Sequence, residues 1–353
     1  MRRATGQGIC RARGRKRVAR PLIGVEIAKA LILAGRPSPD RRWPSVASGP
    51  KQLVPVANRP ILFHALESLR AAGLIEATIA VEPLYSRAIE AAVGDGSQWG
   101  LAVRYVRWRP GSGMPGALMA ARGFLADEPA LVGPADALYR ERIHPHIASF
   151  ASEQLDALTL RLPATPRADA APVGGYLLSP RGIAAVAGRP HITADPVYAL
   201  LDDGLRARVQ EVDGCLPCHG DQQALLEGNR RMLEDLPRDV EPDRFPTCEF
   251  QGPVAIHPDA QLDHTLIRGP AIVGPGSRLS HAYVGPYTSV GANVTMEGTQ
   301  IEHSIVLENA ELGQVGTRLE NSVIGRGARV VRTFGLPTAM TLSVGEGAEV
   351  TLS

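Results

Sequence analysis

Two hydrophobic rhythms divide the chain. Up to about residue 235, short apolar runs alternate with stretches spaced for helices. Ala30 to Ala34 is continuously apolar and ends at Gly35, Pro55 to Leu66 restarts with helical spacing, and GLIEATIAV climbs again to an apolar run ending at Val81. Continuous apolar runs suit strands buried on both faces, so the alternation predicts βα units forming a mostly parallel sheet covered by helices on both sides. Ligands of such sheets bind beyond the carboxyl ends of the strands, which directs attention to the loop after Gly35. From Gly252 onward the helical spacing disappears. Val273 and Leu279, Val284 and Val290, Val306 and Leu312, Ile324 and Val330, and Val344 and Val350 are pairs six apart, and four of these pairs begin with an aliphatic residue followed by Gly. That period predicts a β-solenoid with one inward aliphatic per hexad and small residues at its corners. The expected organisation is a tail of residues 1–25, an α/β domain of residues 26–240 and a solenoid of residues 250–353, the last two joined by the charged, Pro-containing linker EPDRFPT.

Composition narrows this picture. With 353 residues, 44% hydrophobic content and no apolar run approaching a membrane span, the chain reads as a soluble globular protein. Its formal charge of +2 hides an asymmetry, because residues 1–20 carry eight basic side chains and no acid, leaving 30 basic against 36 acidic residues elsewhere. Such a tail can contact nucleic acid or an acidic membrane, but a disordered extension, or a start codon assigned too early, is the favoured expectation. Arg2 and Arg3 are followed by no apolar stretch, so no export signal is expected and the location is expected to be cytoplasmic. Only three lysines occur, at positions 16, 29 and 51, against 35 arginines, which singles out Lys51. Cys215-Leu-Pro-Cys218-His219 spells a haem-attachment pattern, and with Cys248 it has part of a zinc pattern. Free cytosolic thiols are the preferred reading of all four cysteines.

The segment KQLVPVANRP, Lys51 to Pro60, together with the Ala30–Gly35 strand before it, resembles the opening of the sugar-1-phosphate nucleotidyltransferases, in particular the long thymidylyltransferase form. GPADALY falls where that family has a metal-binding LGDN, PVGGYLLSP where it has VGVYLF, and LLEGNRRML on the helix that closes its domain. GPAIVGPGSRLSHAYVGPYTSVG resembles the C-terminal hexapeptide repeats of the long members. The resemblance implies a Rossmann-like nucleotidyltransferase domain followed by a left-handed parallel β-helix. It also implies attack of a sugar-1-phosphate oxygen on a nucleoside triphosphate, with pyrophosphate leaving and Mg²⁺, Arg and Lys neutralising charge.

On that template Leu33, Ala34 and Gly35 would line the nucleotide, Arg41 (with Arg42 as the fallback) would hold pyrophosphate, Lys51 would contact phosphate and Asp136 would be the first metal ligand. Several positions depart from the pattern. The glycine-rich phosphate loop is here Gly35-Arg36-Pro37-Ser38-Pro39-Asp40, in which two prolines offer no N–H and Asp40 adds negative charge. The glutamine that reads the nucleobase is replaced by Trp108, although Gly113 survives at the family's later glycine. The second metal aspartate is replaced by Cys218, a soft ligand that suits Mg²⁺ poorly. Between Leu162 and Val173 only PATPRADAAP remains where the family has some thirty residues of sugar-binding chain. The leading expectation is therefore a family member of low or no activity, acting as a regulatory or scaffolding partner of an active paralogue and forming a homo-oligomer. Two other readings stay open. One is a working transferase, Mg²⁺-dependent, for a nucleoside triphosphate and an unusual sugar phosphate. The other is a hexapeptide acyltransferase using His264, His281 or His303 as base.

Overall fold

A computed structural model describes residues 27–35, 49–109, 111–139, 142–161, 173–189, 200–212, 215–217 and 222–332. The N-terminal half is built on a seven-stranded sheet comprising β1 (Lys29–Ala34), β4 (Glu76–Val81), β5 (Ala102–Arg107), β6 (Ala130–Pro134), β8 (Ala157–Arg161), β9 (Val173–Leu178) and β10 (Ala207–Glu211), in the order β10-β8-β9-β6-β1-β4-β5. Three short strands lie outside it: the hairpin β2 (Pro55–Val56) and β3 (Arg59–Pro60), and β7 (Ala137–Tyr139), which pairs with β11 (Cys215–Pro217). Strand β1 runs parallel to β4 on one side and β6 on the other. Only β9 runs against its neighbours, β6 and β8.

The alternation of a strand explains why β1 is apolar throughout. Ala30, Ile32 and Ala34 enter one hydrophobic cluster, with Leu62, Leu66 and Leu69 of helix α1 (Ile61–Ala71), whereas Leu31 enters the opposite cluster with Leu118 and Phe124. Helix α1 follows Pro60 directly, and it is terminated at Gly73, whose φ of 93° lets Leu74 N–H turn back to Leu69 C=O. Inside α1, His64 is buried and its Nε2 lies 3.0 Å from the carbonyl of Val56. Burial holds its pKa below the usual histidine value.

The C-terminal half is a three-faced parallel β-helix. Among the described residues, fifteen strands lie in three sheets of five, each coil adding one short strand to every face. Ala271 pairs with Val254 before it and Thr288 after it, a rise of 17 residues per coil, and later coils take 16 (Thr295 to Glu311) or 18 (Ile305 to Val323). Hexads close on this length because corners absorb or release a residue while the inward aliphatic of each strand is kept. Val273, Leu279, Val284, Val290, Val306 and Leu312 all sit in one continuous buried cluster. Several corners are non-glycine residues with left-handed φ, among them His264, His281, Asn293 and Asn309. Histidine and asparagine tolerate that region better than most side chains.

The two halves share a seam. Val54, Val56, Ile61 and Leu138 of the first half pack with Leu225 of the helix Gln222–Glu234 and with Ile305 and Leu307 of the solenoid. Asn229, fully buried, holds this seam with all its polar groups. Its Oδ1 accepts from Ala57 N–H at 2.9 Å and from Ser289 Oγ at 2.6 Å, and its Nδ2 donates to Tyr287 C=O at 3.0 Å. Asn58 Nδ2 adds a bond to Val290 C=O at 2.7 Å. No described helix is long and apolar enough to cross a membrane.

Candidate functional site

The carboxyl end of β1 brings together five of the residues singled out in the sequence. Leu33 is half-buried, Ala34 is buried, and Gly35 follows as the strand ends. Ala135 N–H donates to Leu33 C=O at 3.1 Å, which anchors the turn between β6 and β7 at the same end and sets Asp136 there. Lys51 opens the short 3₁₀ turn Lys51–Leu53 and places its ammonium 2.5 Å from Asp136 Oδ2. Both side chains are largely withdrawn from water, at 13% and 4% exposed. The neighbouring Gln52 is buried and donates from Nε2 to Gly35 C=O at 3.2 Å, tying the turn to the end of the strand.

Trp108 covers this end. It follows β5, and its ring lies directly on Gly35, so that a Cβ built there would stand 2.3 Å from indole Cζ2. Gly35 is thus required by the indole, whatever its value to a phosphate loop. The indole N–H is shielded from solvent and has no hydrogen-bond partner among the described residues. Gly113 begins the helix Gly113–Ala120 with φ of 59°, a conformation that favours glycine.

Arg41, its fallback Arg42 and Cys218 lie outside the described residues, as do Pro37, Pro39 and Asp40. Strand β11 ends at Pro217, which pairs with Ala137 next to Asp136. Residues 162–172, also outside the described set, join the adjacent antiparallel strands β8 and β9.

A divalent Mg²⁺ needs several hard oxygens around it. Among the described residues the Asp136 carboxylate placed for it is engaged by the Lys51 ammonium, so these side chains do not by themselves supply the donor set the ion needs. The described geometry holds a compensated Lys–Asp pair beside Gly35, on which an indole rests. It can position an anion or stack a ring, and it lacks the paired donor and acceptor that would read a base edge.

Two features of this arrangement were not readable from spacing. Asp136 and Lys51 are 85 positions apart and meet only through the sheet, and the role of Asn229 emerges only once the helix packs on the solenoid. The sole signal for Asn229 was a polar residue on an otherwise apolar helical stripe. The seam also contains a cleft of about 330 Å³ lined in part by Arg230, Tyr287 and His303, but the Arg230 guanidinium is already paired with Glu227 and Glu234. The histidines separate into two environments. His264 and His281 are stacked together, and His303 meets the ring of Tyr287 edge-on.

The sheet order, the strand-end site and the solenoid together describe a nucleotide-sugar type of transferase scaffold, and comparison with known proteins agrees. The nucleotidyl transferase family pattern matches residues 29–174. The glucose-1-phosphate thymidylyltransferase of Streptomyces griseus is 31% identical over 92% of this chain and 99% of its own, and that of Streptomyces antibioticus is 32% identical over 91% and 99%. The low-salt glycan biosynthesis nucleotidyltransferase Agl11 of Haloferax volcanii is 29% identical over 92% and 100%. A solved Bacillus anthracis chain assigned as a glucose-1-phosphate thymidylyltransferase, with sucrose bound, superposes with a TM-score of 0.50 at 18% identity, covering 60% of this chain and 97% of that one. At that identity the likeness speaks to the fold alone. The chain belongs to the nucleotidyl transferase family and resembles its glucose-1-phosphate thymidylyltransferases.

Proposed function

We propose that this chain is a glucose-1-phosphate thymidylyltransferase-like protein with little or no transferase activity, serving as a regulatory or scaffolding partner in nucleotide-sugar metabolism. The observation that carries the reading is Trp108 lying on Gly35, where the resemblance requires a glutamine and an open floor for the nucleobase. The Lys51–Asp136 pair supports it, because a lysine needed by phosphate and a carboxylate needed by metal here satisfy each other. The sequence of the phosphate loop, with Pro37 and Pro39 in place of N–H donors, acts in the same direction. In this reading Arg41 and Gly113 are remnants of the ancestral site, Mg²⁺ has no resident role, and the partners are further copies of this chain and an active relative.

The second reading, a working transferase for an unusual phosphorylated substrate, draws on Lys51 and Asp136 both standing at the correct strand ends. There, Trp108 would swing aside and stack on the base. Calorimetry with dTTP and UTP, with and without Mg²⁺, separates the two. The low-activity reading expects no Mg²⁺-dependent nucleotide binding. Micromolar, Mg²⁺-dependent binding of either nucleotide would contradict it.

A further inference from the structure

On the solenoid, strand Gln261–Asp263 pairs with Arg278–Ser280 of the next coil, Asp263 opposite Ser280. The residues that follow, His264 and His281, therefore occupy the same corner one coil apart. Both adopt left-handed φ, 44° and 49°, and their rings stack with centroids 5.0 Å apart and planes 25° from parallel. Asp263 completes a trio, its Oδ1 lying 2.9 Å from His264 Nδ1.

Thr247, in the segment between the two halves, anchors this corner. Its hydroxyl donates to Asp263 Oδ1 at 2.9 Å and accepts from His264 N–H at 3.1 Å. One ring nitrogen from each histidine and one carboxylate oxygen lie within 4.8 Å of one another. Ligands held about 2 Å from a tetrahedral ion stand roughly 3.3 Å apart, so a small side-chain rotation closes the trio around a cation. All three side chains are exposed, leaving an open path and room for a water as fourth ligand.

We propose that Asp263, His264 and His281 form a binding site for a divalent transition-metal ion at this corner. Two imidazoles with one carboxylate match the preferences of Zn²⁺, Co²⁺ or Ni²⁺, and they are too few and too nitrogen-rich for Mg²⁺. The site is independent of the strand-end chemistry and of any transferase reading. A bound ion joins two successive coils to each other and, through Thr247, to the segment between the halves. Its expected consequence is to fasten the first coils of the solenoid, since binding to the folded state alone raises stability by mass action.

The test uses untagged, chelator-stripped full-length protein titrated with Co²⁺ and Zn²⁺ by calorimetry and absorption. Cobalt is informative because Cys215, Cys218 and His219 offer a competing set, and thiolate ligation produces intense near-ultraviolet charge-transfer bands that a nitrogen and oxygen site lacks. We expect one Co²⁺ per chain without a thiolate band, bound more tightly than about 10 μM, and a rise in melting temperature that chelation reverses. His281→Gln and Asp263→Asn should each weaken binding at least tenfold with an unchanged circular-dichroism spectrum, while His257→Gln leaves it intact. Binding only at millimolar metal, a site bearing a thiolate band alone, or undiminished binding in a His264→Gln/His281→Gln double variant would overturn the proposal.

Discussion

The seam around Asn229 and the carboxyl end of β1 are built from neighbouring stretches of chain, yet they have had opposite fates. At the seam, every group that the Asn229 side chain touches is matched, and Val56, Ile61 and Leu307 belong to the hydrophobic cluster there. At the strand end, Lys51 is turned on Asp136, and an indole with an unmatched N–H rests on Gly35. KQLVPVANRP serves both regions. Its first two residues, Lys51 and Gln52, face the strand end, while Val54, Val56 and Asn58 serve the seam. Packing between the halves therefore accounts for Val54, Val56 and Asn58 without any appeal to catalysis.

Perturbing the scaffold should give the largest effect. Val284 is fully buried in the solenoid stack, so Val284→Asp introduces an unpaired charge with no route to water. A loss of about 3–5 kcal/mol in urea unfolding is expected, with the solenoid unfolding first. Asn229→Ala comes next. It strands the Ala57 N–H, the Ser289 hydroxyl and the Tyr287 carbonyl, and a loss of about 2–4 kcal/mol is expected, with a second transition appearing as the halves uncouple. A single unshifted transition would show that Asn229 is not what joins them.

At the strand end the stability effects should be smaller and the binding effects diagnostic. Gly35→Ala drives a methyl into the indole, which should cost about 1–3 kcal/mol, while Gly35→Ala combined with Trp108→Ala should recover part of that. Trp108→Gln should raise dTTP affinity measurably, seen by calorimetry, without producing turnover. Turnover in that variant would mean that the thiol at Cys218 and the short chain between β8 and β9 are tolerated.

The smallest effect concerns pH. His64, on α1, supports the seam hairpin through the Val56 carbonyl. Burial lowers its pKa, so the unfolded chain binds a proton more readily than the folded one. The stability associated with neutral His64 is complete above the unfolded value near pH ~6.5 and is lost as pH falls below it. Urea midpoints measured from pH 7.5 to 5.5 should decline in the wild type and decline less in His64→Gln.

Legibility followed the same division. The continuous run of β1 and the hexads were readable because one period dictates which atoms meet the core, and a corner of one residue more or less does not disturb it. Trp108 was readable as a substitution but not as a cover over Gly35, since β5 and β1 are separated by β4 and meet at their ends only through the sheet's order. The three solenoid histidines singled out as candidate bases, His264, His281 and His303, looked equivalent in sequence. Coil length decides otherwise, stacking His264 on His281 and leaving His303 with Tyr287.

The claim that the strand end has been dismantled while the scaffold persists is tested most directly by pyrophosphate release from dTTP or UTP with glucose-1-phosphate and Mg²⁺, beside one of the Streptomyces relatives under the same conditions. Loss of one preorganised charge-stabilising donor typically costs about 10²–10³ in rate, and several are altered here, so turnover at least ~10³ below the relative is predicted. Turnover of several per second with either nucleotide would contradict the account.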